Sequence, residues 1–132
     1  MLNIIHSLLL GAAFLATPAI ATTRDDPDAE LQKLLAGRSA GMPVSCIGQG
    51  SATNVTVIDG KALVYRVGSR LYVNTPDNAA RLRDDDILVT RTFGSQVCSH
   101  DVVHLVDRGS QFPRGFVMLG KFVPYSKPAK AR

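Results

Sequence analysis

The chain has 132 residues, a formal net charge of +4, two cysteines and no tryptophan, with ten arginines against five lysines. Its length suits one domain with a real core and leaves no chain for a second. The arginine excess suits carboxylate or phosphate contacts, because a guanidinium offers a planar fork of donors. A solvated basic surface is the plainer account of it, and the lack of any basic run interleaved with aromatics argues against nucleic acid as a partner.

In chain order, Met1 to Ala21 carry no Lys, Arg, Asp or Glu, and end in Ala19-Ile20-Ala21 before the polar run from Thr22 to Asp26. This reads as an export signal with cleavage after Ala21. The apolar centre, Leu8 to Ala16, is too short to span a bilayer, and Pro18 followed by small residues suits a peptidase site. The segment departs from the usual pattern in having only the terminal amine and His6 as positive groups. No Cys lies in or just after it, so a lipid anchor is not indicated, and the mature protein is expected to be periplasmic or secreted, with no transmembrane segment. The remaining two cysteines, Cys46 and Cys98, then meet an oxidising compartment and are expected to be joined. Two free thiols or half a metal site is the alternative.

The expected organisation is a signal peptide over 1–21, a helix and lead-in over 22–43, a β-domain over 44–124 and a basic flexible tail over 125–132. The helix starts at Asp26 as N-cap with Pro27 in its first position, and Gly37 ends it. Leu31, Leu34 and Leu35 form its apolar stripe, which is too short to be stable without packing on a face or an end of a sheet. Arg38 to Pro43 then turns the chain. From Val44 onward, short apolar runs alternate with Gly, Asn, Asp and Pro, a β pattern. Asp59-Gly60 is the strongest hairpin signal, and Gly68-Ser69 makes a second tight turn, so three consecutive strands over about 54–74 form a meander. Asp86 to Phe93, Gln96 to Cys98, Asp101 to Val106 and Phe116 to Val123 complete about seven short strands. Together they predict a mainly β fold: a small antiparallel β-sandwich or barrel with one short N-terminal helix plugging an end. The cysteine bridge would tie an early strand to a late one.

The segments Ala40 to Ile47, Tyr72 to Asn74, Val97 to Asp101 and Leu119 to Phe122 resemble an uncharacterised family of small exported proteobacterial proteins, a domain of unknown function. The likeness spans about Ala40 to Pro124. Members of that family carry four cysteines, of which two match Cys46 and Cys98. The other two fall near Ala79 or Ala80 and near Val117, where this chain has none. The resemblance implies a β-rich exported domain, favours pairing Cys46 with Cys98, and brings no activity or site residues.

Ser99-His100-Asp101 holds the residue types of a catalytic triad, but adjacent side chains on a strand diverge. His100 and His104 are four apart, which on a strand separates them by more than about 10 Å, too far to share an ion. Asp101 with His104 remains a candidate proton-transfer pair, against the plainer reading that Asp101 binds turn amides after Cys98. Asp84-Asp85-Asp86 with Asp77 offers oxygen ligands, yet lacks an alternating calcium loop, and Arg81 and Arg83 compete for the carboxylates. Gly48-Gln49-Gly50 lacks the third glycine and the helix of a phosphate loop, and reads as a bend or bulge. Arg66, Arg70 and Arg91, with Tyr72 and Tyr65, are candidates for a shallow anion-binding site, against cross-strand pairing on an outer face.

These features lead to the expectation of a non-enzymatic envelope module that binds a protein or an anionic envelope component, with no cofactor and no metal. The alternatives are a small periplasmic hydrolase or lyase using His100, Asp101 and His104, and an inhibitor of a periplasmic enzyme.

Overall fold

The computed structural model describes residues 25–49 and 54–130; the expected signal peptide and the last glycine of Gly48-Gln49-Gly50 lie outside them. The described chain forms one α-helix and ten short strands in the order α1 (Pro27–Leu35), β1 (Ser39–Ala40), β2 (Cys46–Gly48), β3 (Asn54–Ile58), β4 (Ala62–Val67), β5 (Arg70–Asn74), β6 (Asp86–Thr90), β7 (Gln96–Cys98), β8 (Val102–Asp107), β9 (Pro113–Met118) and β10 (Phe122–Ser126). They make three antiparallel sheets, a five-stranded one ordered β1-β10-β5-β4-β3, a three-stranded one ordered β6-β8-β9, and the β2-β7 pair. No barrel closes among them, and the result is a small sandwich with one helix.

Local rules explain the helix and the meander. The Asp26 carboxylate accepts the Asp28 amide at the helix start, Pro27 stands in the first turn, and Gly37 turns the chain with a φ of 73°. Gly60 and Gly68 take positive φ in the two tight turns of β3-β4-β5, where a side chain would strain the backbone.

The helix covers a face of the sheet and does not plug an end. Leu31, Leu34 and Leu35, with Tyr125, pack on Ile58, Ala62, Val64, Leu71 and Val73. The opposite face of the same sheet, carrying Val57, Leu63, Tyr65 and Phe122, packs on Val103, Leu105 and Val117 of the three-stranded sheet and on Ile47 and Val97 of the β2-β7 pair. The five-stranded sheet is therefore the middle layer. This is why Ala62 to Tyr65 are buried without a break, since a strand covered on both faces has no solvated side to keep polar.

Two segments differ from the sequence expectation. The strand expected over 116–123 is a continuous path bent at Leu119-Gly120-Lys121, so that β9 belongs to one sheet and β10 to the other. Strands that switch sheets make the corners of sandwiches. The buried Asn74 side chain holds this corner, donating to the Gly120 carbonyl at 2.8 Å and accepting the Gly120 amide at 2.9 Å. A Cβ on Gly120 would lie 3.0 Å from the Thr75 carbonyl oxygen, so no larger residue fits without a shift. Replacing Asn74 with Ala is expected to cost about 2–3 kcal/mol, because it leaves both backbone groups of Gly120 unpaired; urea unfolding measures this.

The second difference concerns the expected turn over 38–43 and the start of the expected tail. Ser39 and Ala40 pair with Ser126 and Tyr125, so β10 lies inside the sheet between β1 and β5. Pro124 argues for a strand end because it has no amide to donate. Its carbonyl accepts the Gly41 amide at 2.7 Å. In a strand a residue's N–H and C=O point to the same side, so the missing donor faces only the end of the two-residue edge strand β1, where little pairing is lost.

Cys46 and Cys98 are bonded and stand opposite each other across β2 and β7, which joins an early strand to a late one as expected.

Candidate interaction surface

The catalytic candidates stand on β8 and in the turn that precedes it. Asp101 sits at the mouth of β8, and its carboxylate accepts the Cys98 amide at 2.8 Å while its own amide bonds back to the Cys98 carbonyl at 3.2 Å. This is the turn-binding role. His100 occupies the turn itself with a φ of 73°, its amide donating to the Leu119 carbonyl. His104 lies further along β8, exposed, with its ring 6.4 Å from that of Phe116. Val103 and Leu105 are in the core, so strand alternation sends Asp101 to the inner side and His104 to the outer one. The candidate proton-transfer pair is not brought together.

The arginine set is dispersed as well. Arg66 pairs across the hairpin with Leu71 and Arg70 with Val67. Leu71 packs beneath the helix whereas Val67 packs against the other core, so Arg66 and Arg70 project from opposite faces of the sheet. Tyr72 shares Arg70's face and is half-buried opposite the buried Tyr65. Arg91 stands exposed beyond the end of β6. One turn separates Arg66 from Arg70 in sequence, but the pleat prevents a shared anion site at that turn.

The acidic run has a structural role that its composition did not disclose. Asp86 is buried, and Arg114 grips it with two bonds, Nε to Oδ1 at 2.8 Å and Nη2 to Oδ2 at 2.7 Å. The Arg83 amide adds a third donor at 3.2 Å, and Arg114 also reaches the Arg81 carbonyl at 3.0 Å. The competitor for the carboxylates is thus a residue 28 positions away, and Arg81 and Arg83 contribute through their backbone. This pairing raises the affinity of Arg114 for its proton, with the hydrogen bond to Asp86 as the main cause. Among the described residues no group of three or more His, Cys, Asp or Glu side chains is placed to hold a metal ion.

Tyr65 is the other unusual ionisable group. Burial raises its phenol well above the ordinary value, and the nearby Asp101 charge adds to the effect. Below pH about 10 the phenol is neutral in both folded and unfolded chains. As pH rises past that value the unfolded chain releases a proton that the folded one keeps, so folding loses stability with increasing pH. Tyr65→Phe is expected to reduce the fall in unfolding free energy between pH 9 and pH 11, as measured by urea titration at the two values.

What the tertiary structure does assemble is an apolar face on the outside of the three-stranded sheet. Register aligns Val89, His104 and Phe116 in one row across β6, β8 and β9, and Val102 with Met118 in the next. Val89 is 42% exposed, Phe116 49% and Met118 39%, while Ile87 and Val102 are partly exposed. An antiparallel sheet with one free face ordinarily carries polar residues there, and in monomeric proteins contiguous exposed apolar patches mark interaction sites. The Asn78 side chain pairs with the edge of this sheet, donating to the Phe116 carbonyl at 2.8 Å and accepting the Met118 amide at 3.3 Å. Sequence reasoning missed the face because β6, β8 and β9 come from separated segments, although Val102, His104 and Val106 already alternate with the core residues Val103 and Leu105.

Compared with protein-family models, with curated proteins and with solved structures, the chain matches none. Among the described residues no helix is long and apolar enough to cross a membrane.

Proposed function

We propose that this chain is an exported, non-enzymatic binding module of the cell envelope that holds a protein partner on the outer face of its three-stranded sheet. The observation that carries the reading is that Val89, Phe116 and Met118 stand exposed around His104, apolar side chains on a sheet face where solvated polar residues are the rule. The disulfide suits an oxidising compartment, and the uncharged N-terminal segment supports the export address. The resemblance to the four-cysteine exported family supports it too, since the Asn78 amide bonds both neighbours of Val117 and so brings the two positions of the absent cysteines into one region. An apolar face favours a protein over an anionic component, and the separation of Arg66 from Arg70 removes the main cationic pair.

The test is isolation of the native protein from the periplasm, with mass spectrometry of what co-purifies and of its own N-terminus. A mature terminus at Thr22 and a stoichiometric partner are the expected results. Val89→Asp and Phe116→Asp are each expected to reduce partner recovery at least tenfold while leaving the thermal midpoint nearly unchanged, because both side chains are already half in water. Asp101→Asn and His104→Gln provide the contrast with the hydrolase alternative. Recovery that survives both aspartates, or a turnover activity lost in the latter pair, overturns the reading.

A further inference from the structure

The middle and outer sheets are joined on one side by the bent β9-β10 path and are open on the other. There β3, the last strand of one sheet, and β6, the first of the other, both present unpaired edges. Among the described residues no backbone bond links either edge to a further strand. The two edges border one groove, of about 670 Å³ where Val55, Thr56 and Val57 face Ile87 and Leu88. It continues past the shared residues Val55 and Leu88 to a recess floored by Tyr65 and Val97. At the other end, past the shared Glu30 and Asp84, it opens into a mouth lined also by Asp25, Asp59 and Asp85.

The charge at this mouth runs against that of the whole protein. Five carboxylates converge there, with Arg83 at the mouth and Arg108 on the adjoining groove wall as the cations, in a chain whose net charge is +4. Asp86, which also borders the groove, is already neutralised by Arg114. An open strand edge offers a ready row of backbone donors and acceptors, and a peptide added to it gains main-chain bonds from the edge and specificity from flanking pockets.

We propose that this groove takes an extended peptide with basic residues at its C-terminal end, adding it as an antiparallel strand to the edge of β6. The inference rests on reading the domain as a binding module and names the partner's chemistry. The direction follows from position: Asp84 and Asp85 immediately precede β6, so the end of an antiparallel strand that lies beside them is its C-terminal end, and antiparallel pairing is the more stable kind. Alternate apolar side chains of the peptide would point inward over Val55, Leu88 and Tyr65. Because β6 also carries Ile87 and Val89, one partner strand on this edge borders the exposed face described above.

The test uses the amidated peptide Thr-Val-Thr-Val-Thr-Val-Lys-Lys with the full chain. Expected are saturable binding by calorimetry, at least tenfold slower hydrogen exchange at the outward amides of β6, and at least tenfold weaker binding of the same peptide ending in Glu-Glu. The double variant Asp84→Lys/Asp85→Lys is expected to reverse that preference; both residues are exposed, which leaves the fold intact. A peptide with its central Val replaced by Pro is expected not to bind. Absence of binding, unchanged exchange at β6, or equal affinity for the Lys-Lys and Glu-Glu peptides overturns the proposal. If any of these occurs while Val89→Asp still abolishes partner recovery, the groove inference fails alone and the binding-module reading stands.

Discussion

Replacing Cys46 and Cys98 together with Ser is expected to lower the unfolding free energy by about 4 kcal/mol, the loop-closure entropy released when a crosslink 52 residues apart in sequence is removed. For a domain of this size that corresponds to a fall in the thermal midpoint of roughly 15–30 °C. The bridge matters beyond its loop entropy because the sheet it clips is only the β2-β7 pair, three residues on each side, and an isolated two-stranded sheet is marginal in water. Ile47 and Val97, the residues beside the cysteines, reach into the main core. Reduction is therefore expected to loosen this pair first, with hydrogen exchange rising over 46–48 and 96–98 before the five-stranded sheet responds. A calorimetric scan with and without reductant, alongside the double variant, measures the effect; a midpoint shift of only a few degrees would show that core packing alone holds the pair in place.

The second large effect is expected at Arg114. Its side chain is one-fifth exposed whereas that of Asp86 is fully buried, so the two halves of the pair are not equivalent. Arg114→Ala leaves a buried carboxylate whose remaining partner is the Arg83 amide, and is expected to cost about 3 kcal/mol, the lower end of the range for breaking a buried pair. Asp86→Ala strands a guanidinium that can turn toward water and still hold the Arg81 carbonyl, and should cost less. The double variant Asp86→Leu/Arg114→Met removes both charges together and is expected to recover about half of the Arg114→Ala loss, since apolar replacements of similar size often match a buried pair. It does not recover all of it because the Arg83 amide and the Arg81 carbonyl lose their partners. Chemical denaturation of the four proteins measures these losses, and equal losses for the two single variants would contradict the asymmetry.

The same pair shows why parts of the surface were not legible from the chain alone. Asp84-Asp85-Asp86 reads as one acidic run, yet its members have three fates. Asp84 donates its backbone amide to the Asp59 carboxylate, Asp85 is exposed at the groove mouth, and Asp86 is buried. Nothing local distinguishes them, because the deciding residue, Arg114, arrives from β9. The arginines flanking the Gly68-Ser69 turn show the converse. Their proximity in sequence suggested a common site, and the twofold alternation of the pleat sends them to opposite faces.

Where sequence rules are local they were sufficient. Asp26, Pro27 and Gly37 determine the helix limits through capping, a preset φ and a positive φ, and Gly60 and Gly68 determine the two hairpins of the meander. Periodicity likewise made the fold mainly β. Only the tertiary structure decided which strands outside the meander became neighbours, that a segment containing Pro124 lies inside a sheet, and that the helix covers a face. It also decided that β6, β8 and β9 carry an apolar outer face while β3 and β6 leave an open seam. These depend on contacts between segments distant in the chain, whose formation is governed by burial summed over the whole domain and not by the conformational preference of any short stretch.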